Sequence, residues 1–130
     1  MKRVLSLIIM ISMIMTIGVS VFAERVMVKA GGTAYTSNSL LTGNHSTYYC
    51  QLDGVKFSSQ SENVIPTGYY VNARVRTSSG TQCGDLASFS VVGYGYNYNY
   101  WSGYGHTGYY KLATNSSYYD GYRVDFTWNP

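Results

Sequence analysis

The sequence predicts an all-β fold, a small antiparallel β-sandwich or barrel of about seven to ten short strands. Short runs of alternating apolar and polar residues recur along the chain, and turn-forming residues separate them at spacings of about ten residues. After residue 23, no apolar run keeps a helical period for more than about one turn. The chain also has 15 tyrosines and 14 glycines in 130 residues, a composition that favours strands and tight turns.

The first 23 residues have the pattern of an export signal. Lys2 and Arg3 give a positive start, residues 4–21 form an uncharged apolar run, and residues 21–23 have the small residues of a signal-peptidase site. We predict cleavage after Ala23, which leaves residues 24–130 as a single secreted β domain with no membrane association. The alternative is an uncleaved anchor, because a run of this length can just cross a thin bilayer.

The predicted secreted domain is close to neutral. The whole chain has nine Lys and Arg against six Asp and Glu, and two of the nine lie in the signal. A net charge near +1 lacks the strong basic footprint of a nucleic-acid-binding domain. We therefore predict no nucleic-acid partner.

Two cysteines, Cys50 and Cys83, are the only ones in the chain. In an exported protein the default expectation is a disulfide between them, which stabilises a small fold by constraining the unfolded chain. A reactive thiol is the alternative, but neither cysteine has a neighbouring His, Lys or Arg in sequence to lower its pKa.

The first predicted strand spans 25–30, where Val26 and Val28 alternate with polar or flexible side chains, and Gly31-Gly32 ends it. A return strand follows at 33–36. Next, two β-rich runs within 47–57 flank Asp53-Gly54, a pair typical of a tight hairpin turn, so we predict a β-hairpin there.

The stretch 69–76 has the cleanest alternation. It predicts a strand with one buried and one solvated face. The side chains expected inside are Tyr69, Val71, Ala73 and Val75, and those expected outside are Tyr70, Asn72, Arg74 and Arg76. Arg74 and Arg76 could form an anion-binding site; the alternative is that they only provide solubility and protect a sheet edge.

Three more strands are predicted at 86–92, 109–113 and 122–128. In the last one, aromatic and aliphatic residues from Tyr122 to Trp128 alternate with polar ones, so its aromatic face is expected in the core. On the other face, Arg123 and Asp125 are expected to pair with water or with each other.

The segment 93–110 is the candidate functional region, with eight aromatic residues in 18 positions and no Lys, Arg, Asp or Glu. If it is extended, four of its tyrosines share one face. We predict that it binds an extracellular partner, which is a glycan, envelope material or another protein, because exposed Tyr and Trp offer flat faces with a hydrogen-bonding edge. The predicted binding residues are Tyr94, Tyr96, Tyr98, Tyr100, Trp101 and Tyr104.

Two other interpretations of this segment stay open. Tyrosines form cross-strand ladders, so the rings could simply pack the sheet. An uncharged strand at a sheet edge could also pair with a second copy of the chain.

The sequence offers little for catalysis or metal binding. His45 and His106 are far apart in sequence, the acids are scattered singly, and there is no GxSxG motif and no phosphate-binding glycine loop. We predict no catalytic residue, no metal and no cofactor, and hence a protein that is not an enzyme. A small secreted hydrolase is a less favoured alternative, which would need His45 or His106 beside a carboxylate.

The signal sequence, the strand 69–76 and the closing segment 121–130 together resemble short exported proteins of Gram-positive bacteria that carry an uncharacterised domain. This resemblance implies a secreted bacterial protein without catalytic residues to transfer. Some small exported β proteins of these bacteria are bacteriocins. The chain is similar to them in size, export and Gly and aromatic content, so a bacteriocin-like antibacterial protein is the alternative function.

Overall fold

The computed structural model describes residues 22–130 and consists of two antiparallel β-sheets packed against each other. The described residues form the following strands: β1 (Phe22–Val28), β2 (Ala34–Tyr35), β3 (Ser39–Leu41), β4 (Thr47–Phe57), β5 (Val71–Thr77), β6 (Ala87–Phe89), β7 (Gly95–Asn99), β8 (Gly108–Ser116) and β9 (Tyr122–Asn129). No helix in this part of the chain is long and apolar enough to cross a membrane.

The first sheet has four strands in the order β1-β9-β4-β7. The second sheet has five strands: β2-β8-β5-β6 in order, with β3 also paired to β8. Every pairing is antiparallel. The predicted all-β fold, a small β-sandwich, is confirmed.

The core lies between the sheets and follows the predicted alternation. On β9 the buried side chains are Tyr122, Val124, Phe126 and Trp128, and on β5 they are Val71, Ala73 and Val75. Tyr69, predicted inside, is partly exposed because it precedes β5. On the outer face of β9, Arg123 Nε lies 3.7 Å from Asp125 Oδ2, which confirms the expected pairing.

The predicted hairpin at Asp53-Gly54 is wrong. β4 runs without interruption through both residues, and its pairing with β9 contains a β-bulge where Leu52 faces Phe126 but Gly54 faces Asp125. Asp53 is the extra residue of that bulge. Its carboxylate accepts hydrogen bonds from Gln51 Nε2 at 2.7 Å and from Thr127 Oγ1 at 2.5 Å, so a residue type that favours turns is satisfied within a continuous strand.

The predicted signal peptide, residues 1–23, lies almost entirely outside the described residues. β1 begins at Phe22, and Phe22 and Ala23 pair with the end of β9. Cleavage after Ala23 would shorten β1 by these two residues. The rest of β1 would stay attached to the fold through two side chains. Glu24 accepts hydrogen bonds from Ser37 N and Oγ, at 2.7 and 2.6 Å, and Arg25 Nε lies 2.7 Å from Asp125 Oδ1. The boundary between signal and domain stays a prediction.

The predicted disulfide is absent, and Cys50 and Cys83 are both buried free thiols. Cys50 lies on β4 in the four-stranded sheet, whereas Cys83 is hydrogen-bonded to Val75 of the five-stranded sheet. Tyr48, on the same face of β4 as Cys50, extends across to donate a hydrogen bond to the carbonyl of Asp85. A tyrosine side chain therefore joins the two sheets here, and the cysteines contribute to the core as small apolar residues.

We expect neither thiol to react with a disulfide reagent in the native protein at pH 8. Burial raises the pKa of Cys50, and it raises the pKa of Cys83 to about 11, which leaves a thiolate fraction of only about one in a thousand. Thiol counting on the exported protein should give almost none in the native state and two after unfolding in guanidinium. A count of zero after unfolding would contradict the free thiols and restore the disulfide.

Candidate functional site

The tyrosine-rich segment 93–110 contains β7, which is the last strand of the four-stranded sheet, the turn that precedes it, the loop 100–107 and the first residues of β8. On β7, Tyr96 lies opposite Cys50 and Tyr98 opposite Tyr48. Residues directly opposite in a sheet share a face, so the phenols of Tyr96 and Tyr98 point toward the core side, and the predicted common face holds for these two. Their exposure is not uniform, because β7 lies at a sheet edge.

Exposure falls steeply along the row of tyrosines. Tyr94 and Tyr96 are 55% and 57% exposed, Tyr98 is half-buried, and Tyr100 is only 8% exposed. Burial raises the pKa of Tyr98 to about 12 and raises the pKa of Tyr100 as well. The row thus starts at the surface and ends in the core, where the Tyr100 ring packs 5.6 Å from that of Tyr48 and 5.3 Å from that of Tyr110.

Two glycines place the exposed end of this row. Gly93 has a φ of 97°, a conformation that side chains disfavour, and it turns the chain into β7. Gly95 has an extended backbone, but a Cβ there would collide with the Tyr49 hydroxyl on the outer face. A larger residue at position 95 would push β7 away from β4, and Tyr94 and Tyr96 would move with it.

The edges of the two sheets meet at one end of β7 and separate at the other. Gly84 and Tyr100 form a β-bridge, flanked by hydrogen bonds of 2.9 Å from Asp85 N to Asn99 O and from Trp101 N to Cys83 O. Beyond this bridge β6 and β7 are not paired with each other. The sandwich is therefore open where the exposed tyrosines lie.

A groove of about 230 Å³ occupies this opening, and we call it the edge groove. It is lined by Ser88, Phe89, Ser90, Val91, Tyr94 and Tyr96. Phe89 is buried and packs edge-on against Tyr98, with ring centres 6.5 Å apart, so these two rings separate the groove from the core. The lining contains three aromatic rings and the hydroxyls of two serines and two tyrosines, but no charged side chain.

The structure does not bring the six predicted binding residues together. Only Tyr94 and Tyr96 line the edge groove. Trp101 is 40% exposed but belongs to another surface, where its Nε1 donates to Asp85 Oδ1 at 3.0 Å and the guanidinium of Arg74 lies over its ring. The remaining three, Tyr98, Tyr100 and Tyr104, pack in or against the core.

Sequence reasoning missed the other wall of the groove. Ser88, Ser90 and the exposed Val91 come from the end of β6 and the loop that joins it to β7. Their signal in the sequence was weak. Val91 and Val92 are consecutive, so a strict strand alternation cannot bury both, and one of them had to face outward or leave the strand.

Within the described residues, the two histidines contact an asparagine side chain and a glycine carbonyl. His106 Nδ1 lies 3.2 Å from Asn44 Oδ1, and His45 is held through its backbone N to the carbonyl of Gly105. Among residues 22–130, no ion pair joins a histidine to a carboxylate, and no three His, Cys, Asp or Glu side chains are grouped to hold a metal ion.

No protein-family model matches this sequence, and no curated protein matches it either. The geometry of the chain itself therefore has to support any functional assignment.

Proposed function

We propose that this protein is a non-enzymatic secreted β-sandwich that binds a neutral segment of an extracellular glycan in the edge groove. The observation that supports this most directly is the pair of exposed tyrosines, Tyr94 and Tyr96, beside two serine hydroxyls in an uncharged opening. Exposed phenol rings can stack on the apolar faces of sugar rings. The Ser90 hydroxyl can bond to sugar hydroxyls, and Ser88 Oγ, which donates to Asn72 Oδ1 at 2.7 Å, can still accept from one. Export through residues 1–23 is part of the proposal.

The uncharged lining favours a neutral ligand over an ionic one. Burying a charged group beside Phe89, Val91 and two tyrosines would remove its hydration without a compensating partner. A saccharide segment has no such cost, because its hydroxyls can keep water on the open side of the groove. Envelope material with neutral sugar stretches fits the same description.

We expect Tyr96→Ala to weaken binding to a neutral oligosaccharide about tenfold or more, because it removes one exposed stacking surface. The probes are a neutral glycan array and then a β-1,4-linked N-acetylglucosamine hexamer, measured by calorimetry. Tyr109→Ala is the matched control. Tyr109 is also 57% exposed and in a strand, but it lies on β8 in the other sheet.

Equal affinities of the two variants would contradict the edge groove as the site. If the protein binds no saccharide on the array but its mass in sedimentation rises with concentration, pairing of copies through the β7 edge replaces the glycan proposal. β7 offers an edge for such pairing, because it is an uncharged strand at the end of its sheet and pairs with β4 alone among the described strands.

A further inference from the structure

A cluster of positive charge lies on the outer face of the five-stranded sheet. Arg74 and Arg76 are two residues apart on β5 and point to the same side, and Lys111 on β8 is directly opposite Arg76. Lys111 Nζ is 4.6 Å and Arg76 Cζ 5.6 Å from the centre of the same Tyr35 ring, so the two charges lie on one aromatic side chain. We call Arg74, Arg76 and Lys111 the basic cluster.

The basic cluster has no acidic partner among residues 22–130, where the ion pairs use Arg25 and Arg123 instead. Arg74 Nη1 donates to Gln82 Oε1 at 2.7 Å and Arg76 Nη1 to the Gly80 carbonyl at 3.0 Å. The Nε atoms of both arginines are buried without a hydrogen-bond partner. A ligand cannot reach these buried atoms, but the Nη2 atom of each guanidinium has no hydrogen-bond partner within the described residues and can donate to one.

Asp85 is the acid connected to this surface, and both of its carboxylate oxygens are engaged. Trp101, whose ring lies 5.5 Å from the guanidinium carbon of Arg74, donates to one oxygen. Asn99 Nδ2 donates to the other at 3.3 Å. Asp85 thus orients the tryptophan, and it forms no ion pair with a member of the basic cluster.

The register makes this arrangement costly without a ligand. Arg76 and Lys111 form a directly opposed pair of like charges, which destabilises a sheet. The Tyr35 ring offsets part of this repulsion, because both cations lie over it, but it carries no full negative charge. An anion bound at the two arginines, with Lys111 opposite Arg76, would offset the mutual repulsion of the three cations.

A depression of about 60 Å³, lined by Arg74 and Arg76 but not by Lys111, provides the space, several times that needed by one water. Ala113 lies in register between Tyr35 and Arg74, and its small side chain leaves the surface low at that point. The lining contains no acid. It does contain three side-chain amides, from Asn72, Gln82 and Asn115.

We propose that the basic cluster binds a tetrahedral oxyanion, the group present in sulfate and phosphate esters. Arginine presents planar, paired donors that match such oxygens, and Lys111 adds a mobile point charge. This site shares no lining residue with the edge groove, and its ligand has the opposite character, charged instead of neutral. The two proposals can therefore fail independently.

The test is a titration of the exported protein with inorganic sulfate and inorganic phosphate at low ionic strength, followed by NMR. Signals of Arg74, Arg76 and Lys111 should shift together, and Lys111→Gln should weaken binding at least tenfold. Lys29→Gln is the matched control, because it removes an exposed lysine from the loop after β1. In the absence of anion, Lys111→Gln should raise Tm because it removes the opposed pair, whereas Lys29→Gln should leave Tm unchanged.

Two larger probes separate the sources of the oxyanion. A sulfated oligosaccharide and a glycerol phosphate oligomer should both bind more tightly than the free ions, and the tighter of the two identifies the ester. If the anions shift signals around Lys29 and Lys56 as much as those of the cluster, or if the two lysine variants lose equal affinity, the effect is general screening and the site does not exist.

Discussion

Raising the pH from 8 to 11 is expected to unfold the protein cooperatively. Among the buried core residues are Tyr48, Tyr100, Tyr122 and both cysteines, and burial raises the pKa of each of these five groups, that of Tyr122 to about 12 and that of Cys83 to about 11. The pKa values of Tyr48, Tyr100 and Cys50 are raised in the same direction for the same reason. In an unfolded chain, tyrosine ionises near pH 10 and cysteine near pH 8.5.

The sign of the effect follows from where the protons are held. Above the unfolded-state pKa values the unfolded chain has released these protons and the folded chain has kept them, so stability is intact below about pH 8 and falls as the pH rises. Each group removes about 1.4 kcal/mol per pH unit until its folded-state pKa is reached. Five groups together remove roughly 10 kcal/mol by pH 11, which is comparable with the whole stability of a small domain.

Far-ultraviolet circular dichroism against pH measures this transition, and tyrosinate absorbance shows which phenols ionise before it. Tyr100→Phe is the informative variant, because the Tyr100 hydroxyl is buried without a hydrogen-bond partner. Its removal should not lower stability at pH 7, and it should raise the pH at the midpoint of alkaline unfolding. Tyr119→Phe, at an 81% exposed position, should leave the midpoint unchanged. Unchanged dichroism at pH 11 with all 15 tyrosines ionised would refute the prediction.

The strands with one buried and one solvated face were predictable from the sequence. β5 and β9 each pair with two neighbours and face the core on one side only, so their period of two is undisturbed. Strand order was not predictable, because it depends on pairings between residues far apart in the chain. The return strand expected at 33–36, for example, forms as β2 but in the other sheet, paired with β8.

The hairpin at Asp53-Gly54 failed because a local turn signal was weaker than long-range pairing. β4 is paired on both sides, with β9 along most of its length and with β7 at its first half. Asn63 covers the bulge, since its backbone N donates to Val55 O at 2.6 Å and its side-chain carbonyl accepts from Val55 N at 3.1 Å. Breaking β4 into a hairpin would give up these pairings for a single tight turn.

The candidate site was predictable in its location but not in its membership. The alternation of tyrosines placed Tyr96 and Tyr98 on one face, as the register of β7 shows. Exposure depends on where the sheet edge ends, which the sequence does not reveal. At residues 99–101 the chain crosses from the edge of one sheet to the edge of the other. That crossing buries Tyr100 and turns Trp101 toward Arg74, away from the edge groove.

Trp128→Ala is expected to lower the free energy of unfolding by about 3 to 5 kcal/mol, the range for removing a large aromatic side chain from a packed core. Trp128 is fully buried, the largest such side chain among the described residues. It lies near the end of β9, where its partner on β4 is Cys50 and its partner on β1 is Phe22. Cleavage after Ala23 would remove the second partner, so in the secreted domain this end of β9 would be held by β4 alone.

Two further variants separate lost packing from other causes. The Nε1 atom of Trp128 is buried without a hydrogen-bond partner, so Trp128→Phe gives up no hydrogen bond and should cost less than Trp128→Ala. Thr127→Ala, on the opposite face of the same strand, loses only its bond to Asp53 and should cost about 1 kcal/mol. Urea unfolding at pH 7, followed by circular dichroism, gives the free energy of unfolding of all three variants. If Trp128→Ala lowers this free energy no more than Thr127→Ala does, the tryptophan does not hold the two sheets together.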